Sequence, residues 1–421
     1  MIKKDTYHFL KNVMTLFSGS SLAQLISIGA LIILQRFFYS PEEYAPFRLF
    51  FEYVAIFSSI SALRLESGLI LEREEDKAIS LLRICTRLCF IISLIGGAIF
   101  SIYYFKEIEV FQHEWILLLL MPLAIFGNGL IQILQPFFTR AKSFITISSS
   151  KVIHSVFGSI TQIITGILEF NFVGLIIGRI MGLISGDINY FKNFYKKFKW
   201  NQRDKKVEKD LIKKHKKFIY FTSPGIFVGN SINFIILMAF TSFYGEEFTG
   251  LTAAAIQYLG LVVMLFASSF SQVYYNEIAQ INESKKLLKS YVFWLKRLFI
   301  LTLIGWIILM LTPSSLVTSV LGIKWIGLMK IIKIISPWMA IMFLASSLSY
   351  VFIRLGKQKE IFFFDLFHLT LVLFALYGGH YIFNCKIQTL YFVTIVQSIF
   401  YVLSIILAYF FLNKAVKKEE L

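Results

Sequence analysis

The sequence is short of charge. Asp, Glu, Lys and Arg make up 16% of its 421 residues, against about a quarter in a soluble domain. Apolar residues reach 57% and fall in long blocks, which excludes an ordinary water-soluble protein. Cysteine is also scarce. Cys85 and Cys89 stand at i,i+4 and Cys385 is remote from both, so neither a disulfide framework nor a thiolate metal site is indicated. Small apolar filling is the reading for all three. Nothing matches G-x-x-x-x-G-K-[ST], which excludes a P-loop and direct use of ATP. The N-terminus places Lys3, Lys4 and Lys11 before an apolar stretch without an A-x-A-like cleavage site. That stretch reads as an uncleaved first span, not a signal peptide.

A span needs about 20 mostly apolar residues to cross ~30 Å of hydrocarbon. Twelve such helices are predicted, at about 13–35, 47–70, 88–105, 115–138, 144–168, 172–190, 218–242, 250–274, 292–311, 331–353, 361–383 and 388–412. The one long polar interval is Phe191 to Lys217, with twelve Lys/Arg against three acids (Asp204, Glu208 and Asp210). In isolation such a run suggests nucleic acid. Between apolar segments it reads instead as a cytoplasmic loop. Under this scheme the loops on its side of the membrane hold 32 Lys/Arg. The opposite side holds five, namely Arg36, Arg48, Lys106, Lys324 and Lys386. The expected protein is therefore multi-pass in the cell (inner) membrane, with both termini cytoplasmic. Anionic membrane lipids are expected partners of the basic loops, and no nucleic acid is.

The linker divides the chain into 1–190, 191–217 and 218–421, two lobes of six helices each with a join. Phe38-Tyr39-Ser40-Pro41-Glu42-Glu43-Tyr44 follows the first helix of one lobe. Phe243-Tyr244-Gly245-Glu246-Glu247-Phe248 follows the first helix of the other, and with a one-residue gap the two match as FY-x-EE-aromatic. Six spans per lobe give both lobes the same orientation. The fold class is thus an all-α integral membrane protein of about twelve transmembrane helices, in two lobes related by a parallel pseudo-repeat. The linker's length lets the lobes rock while its charges stay on anionic lipid. Phe194, Tyr195, Phe198 and Trp200 place its first part along the interface as a helix.

Several residues carry a family resemblance. They are Gln24, Arg36, Tyr39-Ser40-Pro41-Glu42-Glu43-Tyr44, Arg64-Leu65-Glu66, Pro122-Leu123, Arg140, Gly166, Gly174-Leu175-Ile176-Ile177-Gly178, Phe218 with Pro224, and Ser271-Gln272-Val273. In these the chain resembles oligosaccharide flippases of the polysaccharide biosynthesis protein family. That is the Wzx-like branch of the superfamily that includes MATE exporters. The resemblance implies a V-shaped bundle alternating between inward- and outward-open states. It implies translocation of an undecaprenyl-pyrophosphate-linked oligosaccharide, an O-antigen or capsule repeat unit, with polymerase and glycosyltransferases of the same pathway as partners. One departure stands out. MATE exporters commonly place an ion-coupling acid in an early helix, and Val13 to Gln35 contains none.

Charges at membrane depth cost roughly 2.5–3.5 kcal/mol each and usually face a cavity or a partner. Lys151 and His154 share one face of the fifth helix, with Gln162 near their stripe, and suit a pyrophosphate or an acidic sugar. Lys151 alternatively snorkels to the interface, and His154 alternatively packs. Arg179 is central in the sixth helix, a cavity residue or a structural partner of Glu169 or Asp187. Arg64 and Glu66, at i,i+2, cannot pair along one helix face, so each needs another partner and a gate between helices is one reading. Arg48 and Glu52 suit a local i,i+4 pair, and Arg36, Glu42 and Glu43 sit at the outer mouth, where a solvated interface is the plainer reading. Glu277, Lys330, Lys333 and Arg354 lie near helix ends, where anchoring is expected. The expected substrate wall is Lys151, His154, Arg179, Arg64, Arg36 and Arg48, with Glu66, Asp187 and Glu277 gating or charge-pairing. Asn230, Asn233, Gln257 and Gln272 would face sugar. No metal or cofactor is expected, and a proton or sodium gradient or downstream consumption would supply the energy. Competing readings are a MATE-like small-molecule exporter and a membrane enzyme. A polymerase would need a sizeable external loop, and an acyltransferase would need an acid/base pair that His154 and His380 do not form by sequence. A channel would need a pore-loop repeat.

Overall fold

The computed structural model describes residues 2–105, 114–200 and 202–419. Lys106 and the side chains of Lys3, Lys4, Lys11 and Gln272 lie outside the described residues. The described chain is helical from end to end. The first part holds α1 (Ile2–Phe37), α2 (Pro41–Ser59), α3 (Glu75–Phe105), α4 (Ile116–Arg140), α5 (Phe144–Ile167), α6 (Phe172–Lys197) and α7 (Lys205–Lys217). Then come α8 (Ser223–Tyr244), α9 (Glu246–Ala279), α10 (Ser284–Leu311), α11 (Ser314–Leu321), α12 (Leu328–Leu348), α13 (Tyr350–Arg354), α14 (Gln358–Phe383) and α15 (Lys386–Glu419). Among the described residues, ten helices are long and apolar enough to cross a membrane. The two other expected spans correspond to α2 and α5. They fall short because α2 carries Glu42, Glu43, Arg48 and Glu52, and α5 carries Ser148 to Lys151 and His154. The chain packs as two compact units, Met1–Phe234 and Ile235–Leu421.

The second predicted helix does not run to residue 70. It ends at Ser59, turns through Leu63 and Arg64 in the left-handed region (φ 50° and 61°), and resumes as a 3-10 helix over Leu65–Leu71. A left-handed L-residue costs about 1–2 kcal/mol. The turn is sustained by its own backbone bonds, Leu63 N to Ile60 O (2.8 Å) and Leu65 N to Ala62 O (3.0 Å), and by burial of Ala62, Leu65 and Leu69.

Each unit repeats two side-chain ties at equivalent places. Tyr39, between α1 and α2, donates to the carbonyl of Phe170 at the α5–α6 connection (3.2 Å). Tyr244, between α8 and α9, bonds the Thr389 hydroxyl in the first turn of α15 (2.6 Å). At the opposite end, Arg140 closes α4 by donating to the carbonyls of Glu72 (2.6 Å) and Arg73 (2.9 Å), after the second helix of its unit. Arg354 closes α13 by donating to the carbonyls of Ile278 (3.2 Å), in the last turn of the second helix, and Ile281 (2.7 Å), just after it. Both arginines use the planar fork that a lysine lacks. The FY-x-EE motif marks only the tyrosine tie. Its Glu43 is a capping residue in the first unit, accepting from Ser40 N (2.9 Å) while Ser40 Oγ accepts from Glu43 N, so the expected solvated role at an outer mouth gives way to a capping box.

The linker is docked onto the first unit. Phe194 is fully buried and packs with Phe137 (5.6 Å) and Trp200 (4.9 Å), so this aromatic run belongs mainly to the core and not to the interface; Tyr195 alone of the four is exposed as expected. In α7, Glu208, Leu211 and His215 recur at i, i+3 and i+7 and form its buried face. Glu208 meets Arg87 (3.2 Å) and Arg203 (3.2 Å). Glu72 accepts from Lys214 (2.6 Å) and His215 (2.7 Å). Gly68 permits this approach, since a Cβ there would stand 2.9 Å from His215 Nδ1. Burial alone would raise the Glu72 carboxyl, but the bonds from Lys214 and His215 outweigh it and hold the group below its ordinary value. A lowered carboxylate stabilises the docked linker at neutral pH. The contribution is lost as pH falls below about 4 and through the lowered folded value. Limited proteolysis should therefore cut α7 faster at low pH than at neutral pH. Glu72→Ala should loosen it at pH 7 by about 2 kcal/mol. Equal cleavage of both forms at both pH values would contradict this.

Candidate functional site

Polar side chains of the first unit gather where α5 and α6 lie closest. A Cβ at Gly178 would stand 2.3 Å from Gln162 Cγ, and one at Gly182 would stand 2.7 Å from the His154 carbonyl. Only small residues permit that spacing, and it fixes α6 against α5. Gln162, expected in the substrate stripe, is turned to this contact and donates to the Leu175 carbonyl (3.0 Å).

Along this seam the expected cations form a line. Lys151 donates to Ser20 Oγ on α1 (3.1 Å). His154, one turn on, has a buried Nε2 without a hydrogen bond and lies within electrostatic reach of Arg179. Arg179 is exposed, with its charge within electrostatic reach of α2. It approaches Tyr44 and Arg48 on α2. Among the described residues it forms no ion pair with Glu169 or Asp187, the partners expected for it. Arg48 pairs with Glu52 one turn away, as the spacing predicts. Arg36 stands apart from this line. It is exposed at the end of α1, over the Phe37 ring (5.5 Å).

Arg64 and Glu66 correct the sequence reading. They form a pair (3.3 Å), because the left-handed turn at Arg64 breaks the helix that would have kept them apart. Glu66 is buried, and its second oxygen accepts no hydrogen bond. Nearby on α4, Asn128 (2.7 Å) and Gln132 (3.2 Å) both donate to Ser58 in the last turn of α2. Asp187 turns away from the cation line toward α4. It is buried beside Gly127, where a Cβ would meet its Oδ2 at 3.5 Å, and its Oδ1 accepts no hydrogen bond. Glu277, in the second unit, is a hydrogen-bonding anchor between α9 and α10, accepting from Ser290 Oγ (3.1 Å) and Trp294 Nε1 (3.1 Å).

Sequence reasoning missed a second polar cluster. In α14, His368 is buried, stacks on Phe400 (3.6 Å between centroids) and bonds Gln397 of α15, with Asp365 one turn before it. Two ionisable residues at i,i+3 inside an apolar span were the available signal. His380 is not isolated either. It stacks on Phe243 (4.1 Å) and its Nδ1 meets the Tyr244 hydroxyl (3.2 Å), a packing role at the tyrosine tie.

These elements define a multi-pass α-helical membrane protein built from two repeated units. No family model matches the sequence, and no curated protein does. Solved structures do match. A multidrug resistance MATE family transporter of the MOP superfamily, inward-facing, superposes with TM-score 0.64 at 14% identity, over 95% of this chain and 96% of that one. An outward-facing structure of such a transporter gives TM-score 0.60 at 15% identity, over 97% and 96%. A MOP superfamily transporter from Pyrococcus furiosus, noted for a binding pocket of reverse polarity, gives 0.62 at 14%, over 97% and 96%. The fold is therefore of the MATE type.

Removing Arg64 leaves Glu66 buried without its cation. Arg64→Ala is expected to cost about 3 kcal/mol. Thermal unfolding in detergent would show this, with Arg64→Ala/Glu66→Gln recovering most of the loss. A single variant as stable as the parent would rule out the pair as a structural lock.

Proposed function

We propose that the chain is a secondary transporter of MATE type, moving an anionic amphiphile across the membrane by alternating access. The observation that carries this reading is the cation line of Lys151, Arg179 and Arg48, which passes His154, and in which Arg48 has a carboxylate partner and Lys151 and Arg179 have none among the described residues. Arg179 and Arg48 lie within reach of each other, so an arriving anion would relieve their repulsion. Guanidinium groups suit phosphate oxygens, and uncompensated charge at membrane depth marks a substrate path.

The finer reading is a flippase for an undecaprenyl-pyrophosphate-linked oligosaccharide. The pyrophosphate would lie on the cation line, and polymerase and glycosyltransferases would stand on either side in the pathway. It rests on these cations and on the sequence resemblance. The second reading is small-molecule export, favoured by the MATE fold of the multidrug transporters to which the chain is similar. The missing acid between Val13 and Gln35 weighs against the usual ion coupling of such exporters. The driving force in either case is a proton or sodium gradient, or consumption of the product.

Lys151→Ala and Arg179→Ala are expected to lower export of surface polysaccharide about tenfold each, roughly 1.4 kcal/mol of lost interaction. Lys151→Arg and Arg179→Lys should retain part of it. Normal export by Ala variants present at parental levels in the membrane would overturn the anionic reading. Gradient-driven export of organic cations by the purified chain would establish the second.

A further inference from the structure

A groove of about 790 Å³ opens on the flank of the second unit, between α10, α12 and α15. Its size is that of sites which take small ligands. Two lysines, Lys330 and Lys333, stand one turn apart at its mouth, in the first turns of α12. Below them the wall is mainly apolar, with Ile341 on α12 and Ile395 and Ile399 on α15, and the hydroxyls of Tyr391, Thr394 and Ser398 interrupt it. Ile395 and Ile399 are each 52% exposed, so this face is open to hydrocarbon and not sealed by protein.

Three features specify the occupant. The first is charge. Neither lysine forms an ion pair among the described residues, so the mouth presents two uncompensated cations. The second is depth. Lys330 and Ile341 are separated by eleven positions, or about 16 Å along a helix. That is close to half of the ~30 Å hydrocarbon core, the thickness of one leaflet. The third is placement. Basic residues are rare at this end of the helices, which the charge count assigns to the outside, yet two of them line one groove.

We infer that this groove is a binding site for an anionic phospholipid of the outer leaflet, its phosphate held by Lys330 and Lys333 and one acyl chain lying along Ile341, Ile395 and Ile399. This site is separate from the cation line of the first unit, and the inference holds whichever substrate the chain carries.

The test uses the full chain in nanodiscs containing trace phosphatidylglycerol with a photoreactive acyl chain, followed by mapping of labelled peptides. Label should concentrate in α12 and α15. Lys330→Gln/Lys333→Gln should lower it about tenfold or more, since both cations that would hold the phosphate are removed. Lys213→Gln/Lys216→Gln, which removes the same charge from α7, should leave it unchanged. Lys330→Arg/Lys333→Arg should keep it, and its loss there would overturn the inference even if the Gln pair failed to fold. Parental labelling of the Gln pair would also overturn it. So would equal labelling by a phosphatidylcholine probe, or preferential displacement by undecaprenyl pyrophosphate, which would reassign the groove to a substrate lipid.

Discussion

Hydrocarbon offers no hydrogen bonds, so every polar group inside it must find its partner within the protein. The interruption of α2 shows how far this constraint reaches. Breaking the helix after Ser59 is tolerable because the turn is buried in the first unit and closes its own bonds. The side chains follow the same rule. Asn128 and Gln132 both turn to Ser58, and Ser59 Oγ donates back to the Ile56 carbonyl (2.7 Å). The arginine clamps do likewise for the connections, where Arg140 takes the Glu72 carbonyl and Arg354 that of Ile281. Among the described residues, charged groups without such a partner then stand out, Arg179 and Asp187 of the first unit among them.

Those groups divide into two faces of α6. Arg179 looks toward α2 and the seam with α5, where positive charge accumulates. Asp187, two turns away, looks toward α4. The acid is thus kept from neutralising Arg179. Had the two paired, Arg179 would carry no uncompensated charge. The glycines at 178 and 182 hold this division by locking α6 against α5, so that its rotation is fixed.

Ten of the twelve expected spans were legible because apolar blocks of about 20 residues admit few other readings. The FY-x-EE match pointed to the true repeat, since the tyrosine of each copy makes the same kind of tie. The arginine clamps were invisible, because an arginine at a helix end reads as an ordinary anchor until its carbonyl acceptors are known. Pairing failed for the same reason. The rule that i and i+2 diverge holds only on a continuous helix, and nothing in Ala62-Leu63-Arg64 announces two left-handed residues. The site was half legible. Embedded charge located Lys151, His154 and Arg179, while their neighbours across helices, Ser20, Tyr44 and Arg48, needed the fold. Asp365 and His368 were within reach of the same reasoning.

The three cysteines acquire different standings once folded. Cys85 and Cys89 are sealed in the core of the first unit, whereas Cys385 lies on the short connection between α14 and α15. Backbone N–H groups of Gln388 and Ile387, at the start of α15, hold its thiol below the ordinary value and favour the reactive thiolate. In the native sequence, therefore, one sulfhydryl answers to alkylating reagents and two do not. A fluorophore or spin probe offered to the unmodified chain will seat itself at residue 385, in the electrostatic neighbourhood of Lys330.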